Sequence, residues 1–282
     1  MEEQDLEKDL AFQYLKKKVI AREPNCTAYR DDFLKRRLDL RMNVKGMSSY
    51  VKYARYLDKN PAEFKELLDA LTINVSEFFR DPTVWKAFQT CIMPAIIEQK
   101  IQTSQREIRI WSAGCADGEE PYTIAMSVVD VLSSNLRAFK IEVVATDVDV
   151  QSLDRARRGV YSPARLRLAS HSVLQRFFTP VDGGNLRISE KVKKLVTFQP
   201  HDLFTFPHWS PFDVISCRNV MIFFSESLQQ RLFHNFHLAL SPGGYLILGK
   251  VESPVGEYST LFKCVDSAER IYRKTHACRF NQ

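Results

Sequence analysis

No stretch of this chain approaches the roughly 18 consecutive apolar residues that a membrane-crossing helix needs. Its opening residues, MEEQDLEKDL, are charged where a secretory leader would be apolar. A cytoplasmic protein without membrane insertion is expected. The six cysteines, at 26, 91, 115, 217, 264 and 278, form no CxxC pair and no Cys/His cluster. Reduced packing thiols are therefore expected, not disulfides or zinc ligands. His201, His208, His234 and His237 are scattered without ligand geometry, so no metal site is expected. Internal repeats and low-complexity tracts are absent, as are an NPPY-like base-binding tetrad and a strongly basic tail. The net charge of +6 alone does not imply nucleic acid. No sustained heptad repeat argues for more than a monomer.

What is present is a chain of 282 residues, 45% hydrophobic, long enough for one large and one small domain. Residues 1–90 carry apolar positions at helical spacing with short breaks, which predicts a small all-helical domain, joined by a linking helix to about residue 100. Within it Arg37, Arg41 and Lys45 recur every four residues, forming one basic stripe on a helix. The stripe reads either as a solvated face or as a docking surface for an acidic partner.

Residues 101–282 alternate short β-rich runs (EIRIW, KIEVVATD, FDVISCRN, GGYLILG) with helical segments, the texture of a doubly wound parallel α/β sheet. Around 175–200 the turn signal Asp182-Gly183-Gly184-Asn185 predicts an inserted antiparallel β subdomain.

In such sheets ligands bind where strands end, and the first strand-to-helix turn is RIWSAGCADGEEPYTIAM, residues 109–126. Gly114 and Gly118 allow close backbone approach. The turn lacks the GxGxxG spacing, and Glu119 and Glu120 would repel a pyrophosphate, which disfavours a nicotinamide cofactor. Adjacent carboxylates suit a cationic ligand, and S-adenosylmethionine carries a sulfonium and an ammonium. Asp147, at the next strand end, can accept both hydroxyls of a ribose. Asp202 offers an acceptor to an adenine amino group or acts as a loop cap. Asn219 offers both donor and acceptor to the amino-acid end of the ligand.

Together with TINVSEFFR (72–80), ATDVD, CRNVMIFF, LSPGGYLILG and LILGKVES (246–253), these pieces resemble, in order and over nearly the whole chain, the CheR family of chemotaxis receptor methyltransferases. The resemblance implies a class I S-adenosylmethionine-dependent methyltransferase of Rossmann-like architecture. It implies methyl transfer to receptor glutamates, with S-adenosylhomocysteine as product and the cytoplasmic helical region of chemoreceptors as partner. It assigns cofactor contacts to Asn74, Ser76, Arg80, Glu120, Asp147, Asp202, Leu203, Asn219 and Val220, to which the turn itself adds Gly114, and active-site roles to Arg80 and Phe223. Phe223 stands where the family carries tyrosine, keeping the ring and losing the hydroxyl. That departure makes a cofactor-binding scaffold without catalysis the alternative. The tip VDGGN is shorter than the family loop that grips a receptor's C-terminal peptide, which argues against such a tether.

Overall fold

The computed structural model describes residues 2–71, 76–206, 209 and 211–275. They fall into two compact units, one of residues up to 71 with Phe223–Leu228, the other of 76–222 and the described residues from Gln229 to 275.

The first unit is helical: α1 (Glu2–Arg22), α2 (Asp31–Val44), α3 (Tyr50–Lys59) and α4 (Pro61–Leu71). Ser49 caps α3 by accepting the Lys52 N–H, and Pro61 opens α4, where its missing N–H costs nothing. The inward residues Phe12, Leu15, Leu34, Leu38, Tyr53, Leu57 and Leu67 form its core. One carboxylate is buried there. Glu63 receives a bidentate pair from Arg41 (2.7 and 2.8 Å), the Lys45 ammonium at 2.9 Å and the Tyr53 hydroxyl at 2.8 Å. Burial alone would raise its pKa, but these donors overcome that and hold it at about 2.

The basic stripe anticipated along α2 is thus largely matched from within. Arg41 and Lys45 tie α2 to α4 through Glu63, whose distance in sequence hid the pairing. Arg37 lies over the Phe33 ring at 5.6 Å, and its buried Nε has no hydrogen-bond partner among the described residues.

The second unit opens with α5 (Pro82–Ala87) and α6 (Met93–Gln102), joined by a π turn at Phe88–Ile92. Pro94 cannot donate to the preceding turn, and the widened turn just before it takes up that mismatch. Expected as a link, this run instead shares a core with the sheet: Val84, Trp85, Phe88, Ile92 and Ile96 pack with Ile108, Ile110 and Met126.

There follow β1 (Glu107–Ala113), α7 (Glu119–Leu132), β2 (Lys140–Asp147), α8 (Val150–Arg158), β3 (Val160–Tyr161), α9 (His171–Phe177), β4 (Phe178–Pro180), β5 (Leu186–Ile188), α10 (Glu190–Lys193), β6 (Val196–Pro200) and β7 (Phe212–Cys217). After these come α11 (Glu226–Ala239), β8 (Leu240–Leu248), α12 (Tyr258–Leu261), β9 (Phe262–Asp266) and β10 (Ile271–Lys274). The seven-stranded sheet runs β6-β2-β1-β7-β8-β10-β9, parallel from β6 to β8, with β10 antiparallel to both of its neighbours. β7 is buried at every position, as a central strand covered on both faces must be.

The antiparallel insertion is a three-stranded sheet, β3-β5-β4, and Val181 donates to the Asn185 carbonyl at 2.9 Å across the expected tip. Its bounds differ from the expected 175–200. Val160–Tyr161 supplies the third strand, while Val196–Pro200 pairs in parallel with β2 in the large sheet. Among the described residues no helix is long and apolar enough to cross a membrane. Cys26, Cys115 and Cys217 are buried thiols, and burial pushes that of Cys26 up to about 12.

Candidate functional site

The strand ends of β1, β2 and β7 form one rim. As β1 leaves the sheet, Gly114 and Cys115 both donate to the Thr146 carbonyl, at 2.8 and 2.9 Å, which binds the turn to the end of β2. Gly114 has φ +78°, and a Cβ there would stand 2.7 Å from Val220 Cγ2, so the two predicted contacts lie against each other. Gly118 has φ +91°, with Ala156 Cβ 2.7 Å and the Tyr161 hydroxyl 3.1 Å from any added Cβ. Packing, more than ligand approach, demands glycine at 118.

Asp147 is held in place from two sides. Its Oδ2 accepts the Ala116 N–H at 2.8 Å and its Oδ1 the Asp149 N–H at 2.9 Å. Burial raises its pKa and these amide donors oppose the rise. A carboxylate oxygen accepts more than one hydrogen bond, so both remain competent acceptors for a vicinal diol. The His201 N–H donates to the Asp147 carbonyl at 3.0 Å, bringing Asp202 and Leu203 to the same strand end. Asp202 Oδ1 accepts the Phe204 N–H at 2.9 Å, the loop-capping role, and the Leu203 carbonyl accepts from Asn235 at 3.1 Å.

The adjacent acids diverge because successive helical residues face about 100° apart. Glu120 turns to the rim, accepting from Ser112 Oγ at 2.9 Å with its second oxygen 3.6 Å from Arg218 Nη1. Glu119 is fully buried. Its Oε1 accepts from Arg165 at 2.9 Å, while Oε2 has no partner among the described residues. Burial outweighs the Arg165 charge and raises Glu119 from 4.5 to about 7. The native state therefore holds a proton that the unfolded chain releases, and this contribution to stability is fully present below pH 4.5 and lost as pH rises through about 7. Asp147 and Glu252, also raised by burial, act with the same sign. Glu119→Gln is expected to flatten the decline of urea-unfolding free energy over that window. An unchanged slope would assign the decline to other groups.

At the end of β7 two residues that sequence reasoning passed over organise the loop. Arg218, nearly inaccessible, donates to Asp81 Oδ2 at 2.5 Å and lies over the Trp85 ring at 5.2 Å. Glu252 accepts four backbone amides: Asn219 (2.9 Å) and Gly249 (2.7 Å) on Oε2, Met221 (2.9 Å) and Ile222 (3.3 Å) on Oε1. A Cβ on Gly249 would sit 2.6 Å from Glu252 Oε2, so only glycine admits that carboxylate. The bracing holds Asn219 at φ +61° with its side-chain Oδ1 buried and lacking a partner among the described residues. A charge just past one buried strand (Arg218) and an acid just beyond another (Glu252) were the available signals.

Of the TINVSEFFR segment, Asn74 lies outside the described residues. The Ser76 carbonyl accepts from Arg165 Nη1 at 2.6 Å, and the Arg80 carbonyl accepts from Trp85 Nε1 at 2.8 Å. The Arg80 side chain lines a cleft with Ser76, Glu77, Ala164, Arg165 and Arg167. Through Arg218, which reaches both Asp81 and Glu120, this segment joins the rim. Phe223 belongs to the helical unit, where its ring lies 4.8 Å from that of Phe33 and its carbonyl accepts the Arg30 N–H at 2.9 Å.

The donor set fits S-adenosylmethionine. The rim offers carboxylates for cationic groups and a diol, and an orphaned buried amide oxygen at Asn219. Residues 74–271 match the family described as CheR methyltransferase, SAM binding domain, and residues 25–72 match CheR methyltransferase, all-alpha domain. The chemotaxis protein methyltransferase of Borreliella burgdorferi is 34% identical over 221 residues, covering 77% of this chain and 78% of that protein. Chemotaxis protein methyltransferase 2 of Pseudomonas aeruginosa is 35% identical over 223 residues, covering 77% and 76% respectively. With an all-helical unit, an acid-lined rim and both family matches in hand, the chain belongs to the CheR methyltransferases, enzymes that use S-adenosylmethionine.

Proposed function

We propose that this protein transfers the methyl group of S-adenosylmethionine to glutamate side chains in the cytoplasmic helical region of chemoreceptors, giving methyl esters. The observation that carries the reading is the junction at Arg218, which links the acid-lined rim through Glu120 to the segment bearing Arg80 through Asp81. Bound S-adenosylmethionine supplies an electrophilic methyl on a sulfonium. Asp147 and Asp202 hold its nucleoside end, Glu120 and Asn219 its amino-acid end, and Gly114, Leu203 and Val220 shape the cradle, with Ser76 and Asn74 as further contacts.

A glutamate is already ionised near pH 7, so no general base is needed and none is assigned. Arg80 holds one oxygen of the acceptor carboxylate in its planar fork and leaves the other to attack. Phe223 contributes shape, without a hydroxyl. Arg37 is the member of the α2 stripe assigned to an acidic receptor surface, since Arg41 and Lys45 are committed to Glu63.

The substitution at Phe223 favours one second reading, a cofactor-binding scaffold. Incubation with labelled S-adenosylmethionine and receptor cytoplasmic fragments separates the two. Base-labile label, released as methanol and lost when receptor glutamates are replaced by alanine, is the expected result, and Arg37→Glu is expected to raise KM for the receptor alone. Cofactor binding without transfer would overturn the enzymatic reading.

A further inference from the structure

One guanidinium, carried by the segment between β3 and α9, reaches both sides of the site. Arg165 stands in the 3-10 turn Pro163–Leu166. Its Nη1 donates to the Ser76 carbonyl at 2.6 Å and to Glu119 Oε1 at 2.9 Å, and its Nη2 reaches Asp117 Oδ2 at 3.3 Å. Its own carbonyl accepts the Phe78 N–H at 3.0 Å. Asp117 and Glu119 belong to the turn between β1 and α7, beside Glu120, whereas Ser76 and Phe78 belong to the segment that carries Arg80.

A second path runs parallel to the first. The Phe79 N–H donates to Thr123 Oγ1 at 3.1 Å, and that hydroxyl donates to the Glu119 carbonyl at 2.7 Å. The Phe78 ring stands edge-on to Tyr161 at 4.8 Å, and the Tyr161 hydroxyl donates to the Asp117 carbonyl at 2.8 Å. The segment is thus joined to the turn largely through its main chain, by partners from elsewhere in the sequence.

The backbone around Arg80 indicates why such holding is needed. Phe79 (φ 57°) and Asp81 (φ 54°) occupy the left-handed region on either side of it. A bulky residue such as phenylalanine keeps that conformation only where its surroundings impose it. Contacts from Arg165, Thr123 and Tyr161 bear on the residues next to Arg80.

We propose that Arg165 is a positioning residue that couples occupation of the cofactor turn to the conformation of Ser76–Asp81, and hence to the aim of the Arg80 guanidinium. A ligand that fixes Glu120 and its turn also fixes Asp117 and Glu119, the acceptors Arg165 holds. Arg165 in turn fixes a carbonyl and an amide of the Arg80 segment. Such coupling is reciprocal. The inference rests on the role given to Arg80 above only for its catalytic consequence.

The test is hydrogen exchange by mass spectrometry on the full chain, with and without saturating S-adenosylhomocysteine, in the wild type, Arg165→Gln and Arg165→Lys. Calorimetry confirms that each sample is loaded. In the wild type the ligand is expected to slow exchange of the Phe78 and Phe79 amides about tenfold, within the usual range of coupling between sites. In both variants the slowing is expected to fall below about twofold, because a lysine supplies the charge but cannot fork between a carbonyl and two carboxylates. Equal slowing in the wild type and the variants, or no response in the wild type, overturns the proposal. If Arg165→Gln fails to fold, Arg165→Lys carries the comparison. No methyl acceptor enters this measurement, so failure of the glutamate reading would leave its outcome untouched.

Discussion

Glu252→Ala is expected to lower the free energy of unfolding by about 3–4 kcal/mol and to abolish S-adenosylhomocysteine binding by whatever fraction remains folded. Four amides converge on this one carboxylate, those of Asn219, Met221, Ile222 and Gly249. Each loses its acceptor at once, those of Met221 and Gly249 in buried positions and those of Asn219 and Ile222 half-buried, and an unsatisfied buried group typically costs about 1–3 kcal/mol. Relaxation and entry of water recover part of that sum, which is why the expected loss is below four times the single cost. Glu252→Gln is expected to lie between, since one oxygen remains while the new amide nitrogen faces N–H groups with another donor. Urea titration with an unchanged m-value is the measurement. A loss under about 1 kcal/mol would mean that the loop finds its own partners.

Arg80→Ala is expected to reduce kcat about a hundredfold, the usual order when an aligning contact near the reacting atoms is removed. Cofactor affinity should change far less than kcat. Arg80→Lys is expected to recover little, because a point charge attracts a carboxylate without fixing which oxygen faces the methyl. If alanine and lysine both retained wild-type kcat while KM rose, Arg80 would bind the acceptor uniformly and would not select its orientation.

The sheet unit was legible where local chemistry decides the outcome. Apolar β-rich runs such as KIEVVATD and FDVISC became the parallel strands on either side of β1, in the middle of the sheet. Of the two adjacent acids in the turn after β1, Glu120 rather than Glu119 reaches the rim, as expected from the sequence. Long-range pairing was not legible. Arg41 and Lys45 have helical spacing whether or not a buried carboxylate waits on another helix, and Glu63 is 22 residues from Arg41. Glu252 lies 33 residues from Asn219, so nothing local announces that it folds the CRNV loop. Phe79 and Asp81, bulky or charged residues at positive φ, carry no sequence signature for a conformation imposed from outside.

The place of β10 in the sheet bears on how the chain is made. Ile271–Lys274 follows β8 and β9 in sequence, yet it lies between them, bonded to both. During synthesis β8 and β9 leave the ribosome earlier and have no direct partnership with each other. β9 meets its neighbour only when β10 arrives, and until then two open strand edges invite pairing with other nascent chains. Ribosomal stalling or premature termination shortly before Ile271 would therefore yield a product inclined to aggregate, although every residue of the cofactor rim would already have been translated.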